Sequence, residues 1–245
     1  ALLATLYFEC GHSLEKRRVV TQCLDEYRST AGTNLRWAHP GSRGFQRLDG
    51  PPTASGAAWL SAPGLDELQG WELSWHGGAT SEEANNFMFR GLGARSWQSE
   101  RQGALSFISF ALPTAWLVEQ PDCFPGMLHR FCERLQPLHG YGGFGLVDSP
   151  NRFVTPMHED TVHSLAKRHP GLEIDDPILH SIVLKNSIKG ANWLTVLGDR
   201  WLDRLGGVEA LLSRLVPPAE LHTFTGGCLI QAGPQPQLGN VEEHR

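Results

Sequence analysis

The chain has 245 residues, 40% hydrophobic and 19% charged, with a formal net charge of −5. That length suits one large domain or two small ones, and the composition is an ordinary globular one, somewhat rich in turns. Residues 1–50 carry seven Lys/Arg against five Asp/Glu and the rest fourteen against twenty-one, a balance of −7 that argues against nucleic acid as the partner and suits a basic protein. Leu2 to Phe8 reads as a buried strand. Ser13 caps a helix expected from Leu14 to about Ser29 and ended by Gly32, with Val20, Cys23, Leu24 and Tyr27 on one face. Residues 33–56 read as loop around Trp37, stopped by Pro51-Pro52. Trp71, Leu73 and Trp75 alternate with polar residues, as a half-buried strand requires, and strands follow at 86–92 and 104–112.

Asp122 is expected to cap the clearest helix. Its Phe124, Met127, Leu128, Phe131, Cys132, Leu135 and Leu138 recur at three and four residues, and Gly140 is expected to end it. A short glycine-rich strand is expected at 141–147. Helices follow at 158–169 and 176–185, the second with Pro177 in its first turn. Residues 192–198 read as a strand, and Asp199 caps a helix over 200–215, bent at Gly206-Gly207. Strands 220–225 and 227–232 close the chain through Gly226-Gly227. Strands and helices do not alternate strictly, so the predicted class is α+β, with a mixed, largely antiparallel sheet flanked by helices. The chain is taken as a single domain over 1–245, with a division into related lobes 1–150 and 151–245 left open.

The five cysteines, Cys10, Cys23, Cys123, Cys132 and Cys228, form no C-x-x-C pair, and an odd count rules out a full disulfide framework within one chain. Free thiols favour a reducing compartment, so the expected location is cytoplasmic. No stretch approaches the ~20 apolar residues of a membrane span, and no signal peptide is read.

The motifs that carry chemistry are weak. Gly140 to Gly145 matches G-x-G-x-x-G, but it follows a helix instead of a strand, so close packing explains it better than a dinucleotide. His158, His163 and His169 are spaced by five and six, which at about 100° per residue turns them away from a common metal. The nucleophile elbow and the Walker loop are absent, and the pairs Cys132/His129 and Cys10/His12 lack a third member. No catalytic residue, metal or cofactor is expected.

Several stretches resemble the type VI secretion immunity proteins of the TsiV kind, and the likeness spans nearly the whole chain. They are Phe8-Glu9-Cys10-Gly11-His12-Ser13, Leu35-Arg36-Trp37, Leu135 to Gly143, His169-Pro170-Gly171-Leu172-Glu173, Ile188 to Thr195, and Ala232-Gly233-Pro234. The resemblance implies a bacterial immunity protein. Such a protein binds and blocks a toxic effector delivered between neighbouring cells, and nucleases of the restriction-endonuclease type are among those toxins. The family offers no shared catalytic residues to carry over. The mechanism expected is stoichiometric occlusion by a partner-binding surface, without direct nucleic-acid binding or membrane insertion. Its candidate anchors are Trp97, Trp75 and Trp116, Trp97 foremost because no helix or strand pattern around it demands burial. The candidate steering charges are Asp66, Glu67, Glu82, Glu83, Asp175 and Asp176. Two rival readings stand beside it: an effector-loading adaptor, and a hydrolase with an unrecognised site. The hydrolase predicts a deep pocket of converging polar groups, and the occlusion reading a flat or protruding acidic surface without one.

Overall fold

The structure is a computed structural model that describes residues 1–40, 44–48, 57–62, 66, 68–150 and 158–239. Pro51-Pro52 and Glu67 lie outside the described residues. The strands are β1 (Leu2–Phe8), β2 (Trp37–Pro40), β3 (Gln46–Arg47), β4 (Trp71–His76), β5 (Met88–Gly93), β6 (Ser106–Leu112), β7 (His139–Phe144), β8 (Leu194–Gly198), β9 (Glu220–Phe224) and β10 (Gly227–Gln231). They form one sheet in the order β3-β2-β4-β5-β6-β1-β7-β8-β10-β9. Every neighbouring pair is antiparallel, so the fold is α+β.

Helices α1 (Leu14–Ala31) and α3 (Cys123–Leu135) cover one face of the sheet. Ser13 caps α1 by accepting from the Lys16 amide, and Gly32 closes it at φ 56°. The predicted apolar stripes are the ones buried, apart from Leu138, which lies beyond α3 and packs on the cluster around Tyr7. Val20, Cys23, Leu24 and Tyr27 of α1 and Phe124, Met127, Leu128, Phe131, Cys132 and Leu135 of α3 pack on Leu2, Ala4, Leu6 and Phe8 of β1. This cluster continues through Trp71, Leu73 and Trp75 to Val196 and Leu229, so one apolar layer underlies nearly the whole sheet. Glu26 of α1 forms ion pairs with Arg130 and Arg134 of α3 at the outer edge of that layer.

Four local expectations are corrected. Helix α3 ends at Leu135 with Gln136 in the left-handed conformation (φ 48°), because Pro137 follows and Gly140 is needed inside β7. The Asp122 side chain makes no capping bond. The helix expected over 200–215 starts at Asp199 itself, with Gly198 in the cap position. It is broken into α6 (Asp199–Leu205) and α7 (Gly207–Leu212), where Gly206 and Gly207 take φ of 91° and 86°. The loop expected around Trp37 holds β2 and β3, strands too short to show a period.

The glycine-rich stretch is a packing device. A Cβ on Gly140 would fall 2.6 Å from both Leu6 Cδ2 and the Thr5 carbonyl oxygen, and one on Gly145 would fall 2.6 Å from Leu3 Cβ. Glycine there lets β7 lie close against β1 and join the first six strands to the last three.

Candidate functional site: a polar row beneath a cleft

The second face of the sheet is different. Cross-strand register places His39 opposite Ser74, Ser74 opposite Arg90, Arg90 opposite Ser109, Ser109 opposite Thr5, Thr5 opposite Tyr141 and Tyr141 opposite Thr195. Directly paired residues point to the same side, so a row of polar side chains crosses seven strands. Buried polar groups need partners, because each one left unmet costs ~1–3 kcal/mol. The chain supplies them from the segment leading into α5 (Pro177–Val183).

Asp175 enters this row from above with its side chain fully buried. Oδ2 accepts from Thr5 Oγ1 at 2.7 Å and from Ser109 Oγ at 3.4 Å. Oδ1 accepts from Tyr141 OH, and Arg90 stands 3.6 Å and His180 3.5 Å away. Burial alone would raise this carboxyl. The His180 imidazole beside it, the Arg90 charge and the bonds from Tyr141 and Thr5 outweigh it and hold the pKa at about 2. Asp175 is therefore an ionised buried hub and not a surface steering charge, which corrects that expectation. Its neighbour Asp176 is exposed and caps α5 by accepting from the Leu179 amide at 3.1 Å.

The same segment is fixed at its ends. Glu173 bridges Gly145 and pairs at 2.6 Å with Lys189, whose ammonium sits 4.7 Å over the Tyr141 ring. His139 stacks on Tyr7 and its Nε2–H donates to the Leu184 carbonyl at 3.0 Å. Burial pulls His139 down to about 4, the Leu184 carbonyl opposing and His180 reinforcing the shift.

Where the segment leaves the β4–β5 end of the row uncovered, a cleft of about 980 Å³ opens beneath α4 (Glu159–Arg168) and α5. Its floor is Ser74, Arg90 and Leu92, and its walls include Asp148, Val162, His163 and Ile182. A polar cleft on this face was not expected of an occluding surface; the expectation of a flat face without a pocket is corrected. The polar groups converge because the row was already there to hold Asp175. No hydrogen bond joins Ser74 to His39 among the described residues. The buried thiols are also poorly placed for nucleophilic work, since burial pushes Cys23 up to about 12, Cys228 up to about 11 and Cys132 well above the ordinary range. His163 and His158 are exposed, and His169 lies against the Gly239 carbonyl; among the described residues no group of three or more His, Cys, Asp or Glu could hold a metal ion.

The other predicted site residues divide into an interior set and a rim set. Trp75 is 3% exposed in the apolar layer with Arg28 stacked on its ring, so it is no anchor. Trp116 is half-buried edge-on against Phe87. Trp97 is 44% exposed, at the start of a turn (Gln98–Gln102) whose Gln102 carbonyl accepts from Lys185, just beyond α5. Exposed Asp66 lies beside it: Arg17, buried at the base of α1, donates to the Asp66 and Gln69 carbonyls, and the Ser96 amide donates to Leu68. Glu82 and Glu83 are exposed at the opposite rim, where Ser149 donates to the Glu82 carbonyl next to Asp148. Reading residues one at a time missed the row itself. Its signal was a lone polar residue at the centre of each apolar strand: Thr5, Arg90 and Ser109.

Together these features define an antiparallel α+β protein with one fully apolar face and one polar, clefted face. The chain belongs to the TsiV family, described as type VI immunity for VRR-NUC, whose model matches residues 19–245. It is accordingly an immunity protein of the type VI secretion system. Among solved structures it is similar to the Pseudomonas aeruginosa T6SS protein PA0821, with 28% sequence identity and a TM-score of 0.86 over 98% of this chain and 71% of that one. A comparison with curated proteins gave no match. Among the described residues no helix is long and apolar enough to cross a membrane.

Proposed function

We propose that this protein neutralises a VRR-NUC effector by binding it one to one and covering its substrate surface, without turning over a substrate of its own. The family match over residues 19–245 carries the reading. The charge of the chain supports it. A nuclease must present a basic surface to its phosphate substrate, and residues 51–245 of this chain hold fourteen Lys/Arg against twenty-one Asp/Glu. Complementary fields of this kind speed encounter and fix orientation. An interface of roughly 1,600 Å² would suffice, with a few buried anchors supplying most of the affinity. Asp176 lines the cleft, Glu82 and Glu83 stand near it where Ser149 donates to the Glu82 carbonyl, and Trp97 and Asp66 are exposed elsewhere; these are the predicted residues retained for that role.

The protein acts in the cytoplasm in this reading, where its five free cysteines stay reduced. It acts as one unit, because a single sheet runs through both halves. Co-expression with the effector tests the proposal. Restored growth, a stable 1:1 complex and loss of DNA cleavage at one equivalent are the expected results. Binding without protection would make the protein an adaptor. Turnover of a substrate by the purified chain, abolished by one polar substitution in the cleft, would make it an enzyme.

A further inference from the structure

Helix α5 is apolar on both sides. Pro177 is buried beneath it, and Ile178 packs on the cluster around Tyr7 and Phe107. Leu179, Ile182 and Val183 nevertheless stand 53%, 55% and 54% exposed. Their spacing of three and four residues puts them on one outward strip. A contiguous exposed apolar strip rimmed by polar groups marks a contact surface.

The cleft beside this strip is acidic. Its described lining holds five carboxylates, Glu72, Asp148, Glu159, Asp175 and Asp176, against one guanidinium, Arg90. Arg90 is turned inward to Asp175, so its charge is largely answered there. Asp148 is half-buried and has no hydrogen bond or ion pair among the described residues. Burial holds its carboxyl above the ordinary range, Arg90 and the exposed His158 opposing and Asp175 and Asp176 reinforcing the shift. A cation entering from outside would answer that charge.

We infer that the cleft between β4–β5 and helices α4 and α5 is the socket for a protruding basic segment of the VRR-NUC effector, with an Arg or Lys head group at Asp148. The apolar residues flanking that head group rest on Leu179, Ile182 and Val183. This rests on the immunity reading above. The chemistry suits both parts of such a segment. The stem of a long basic side chain buries against apolar surface, while its head group forms a charge-assisted hydrogen bond to a carboxylate. At about 980 Å³ the space matches cavities that enclose a small ligand, so it takes side chains and a turn, not a domain.

Calorimetric titration of the full chain tests this, using as probe the VRR-NUC effector that the wild-type protein neutralises, with its nuclease site inactivated. Ile182→Asp and Asp148→Lys should each raise Kd by about 30-fold or more, and Asp148→Asn by about tenfold, at an unchanged thermal midpoint. Val118→Asp, at a position 83% exposed in α2 (Trp116–Glu119), should leave Kd within about twofold. Hydrogen exchange on the wild-type complex gives a reading that no variant can spoil: the α4 and α5 amides should slow on binding. Unchanged Kd in both Ile182→Asp and Asp148→Lys, or unchanged exchange in α4 and α5, overturns the socket and leaves the immunity reading intact. A free chain that is dimeric, and that Ile182→Asp makes monomeric, assigns the strip to self-association and overturns it too. A wild-type chain that neither binds nor protects removes the immunity reading, and the socket with it.

Discussion

The two faces of the sheet are held by different physics. Beneath α1 and α3 the contacts are apolar, interdigitated and almost wholly buried, and stability there follows volume and area. On the opposite face one aspartate, fed by hydroxyls from β1, β6 and β7 and by Arg90 of β5, clamps the segment that leads into α5. The first arrangement tolerates hydrophobic exchange at roughly constant volume. The second weakens whenever a partner is removed, because the buried charge then loses part of its compensation. A protein that must keep a fold and also present a surface gains from this division. The apolar face supplies stability, and the polar face fixes the position of what is shown to solvent.

Four measurements would break or sharpen that contrast. On the apolar face, Phe131→Ala should cost about 4 kcal/mol in urea unfolding, since Phe131 is fully buried and packs on Phe89 and Phe110. Asp175→Asn should cost about 3 kcal/mol on the polar face, although it changes hardly any volume. A much smaller loss would mean that the row is not a clamp. The hub also has an acid signature. Its folded pKa of about 2 lies below the unfolded value near 3.8, so its contribution is present above that value and is lost as pH falls through about 2. His139 gives a second, higher window. Its folded pKa of about 4 is below the unfolded 6.5, so the unfolded chain binds the extra proton between them. Stability should therefore drop by up to about 3 kcal/mol as pH falls from 6.5 to 4, and His139→Gln should flatten that slope. Smallest of all, Leu179→Ser should change the unfolding free energy by no more than about 0.5 kcal/mol, because that side chain is largely exposed to water.

The apolar face was legible in the sequence. Helix α1 lies where periodicity and its Ser13 cap predict, α3, β1 and β4 lie where periodicity predicts although α3 has neither the capping bond nor the end expected of it, and the β9–β10 hairpin lies where its glycines predict. The polar face was not. Its row is assembled from single residues of seven strands, and only register, which local patterns do not encode, shows that they line up. Asp175 and Asp176 show the limit well. Adjacent and chemically alike, they read as one charged pair, yet the chain turns one inward to five partners and leaves the other to cap α5. The tryptophans divide in the same way. Trp75 alternates with polar neighbours and is core; Trp97 lies in a patternless stretch and is exposed. That the row would leave a cleft at one end depended on where α4 and α5 come to rest, which tertiary packing decides.

The clamp at Asp175 has a further consequence. Because the α5 backbone is pinned from below, the outward residues Leu179, Ile182 and Val183 contribute little to holding the helix in place. They can change in size, charge or shape while the scaffold beneath them stays the same. Under the socket proposed above, recognition changes one substitution at a time at these positions while the scaffold keeps its fold.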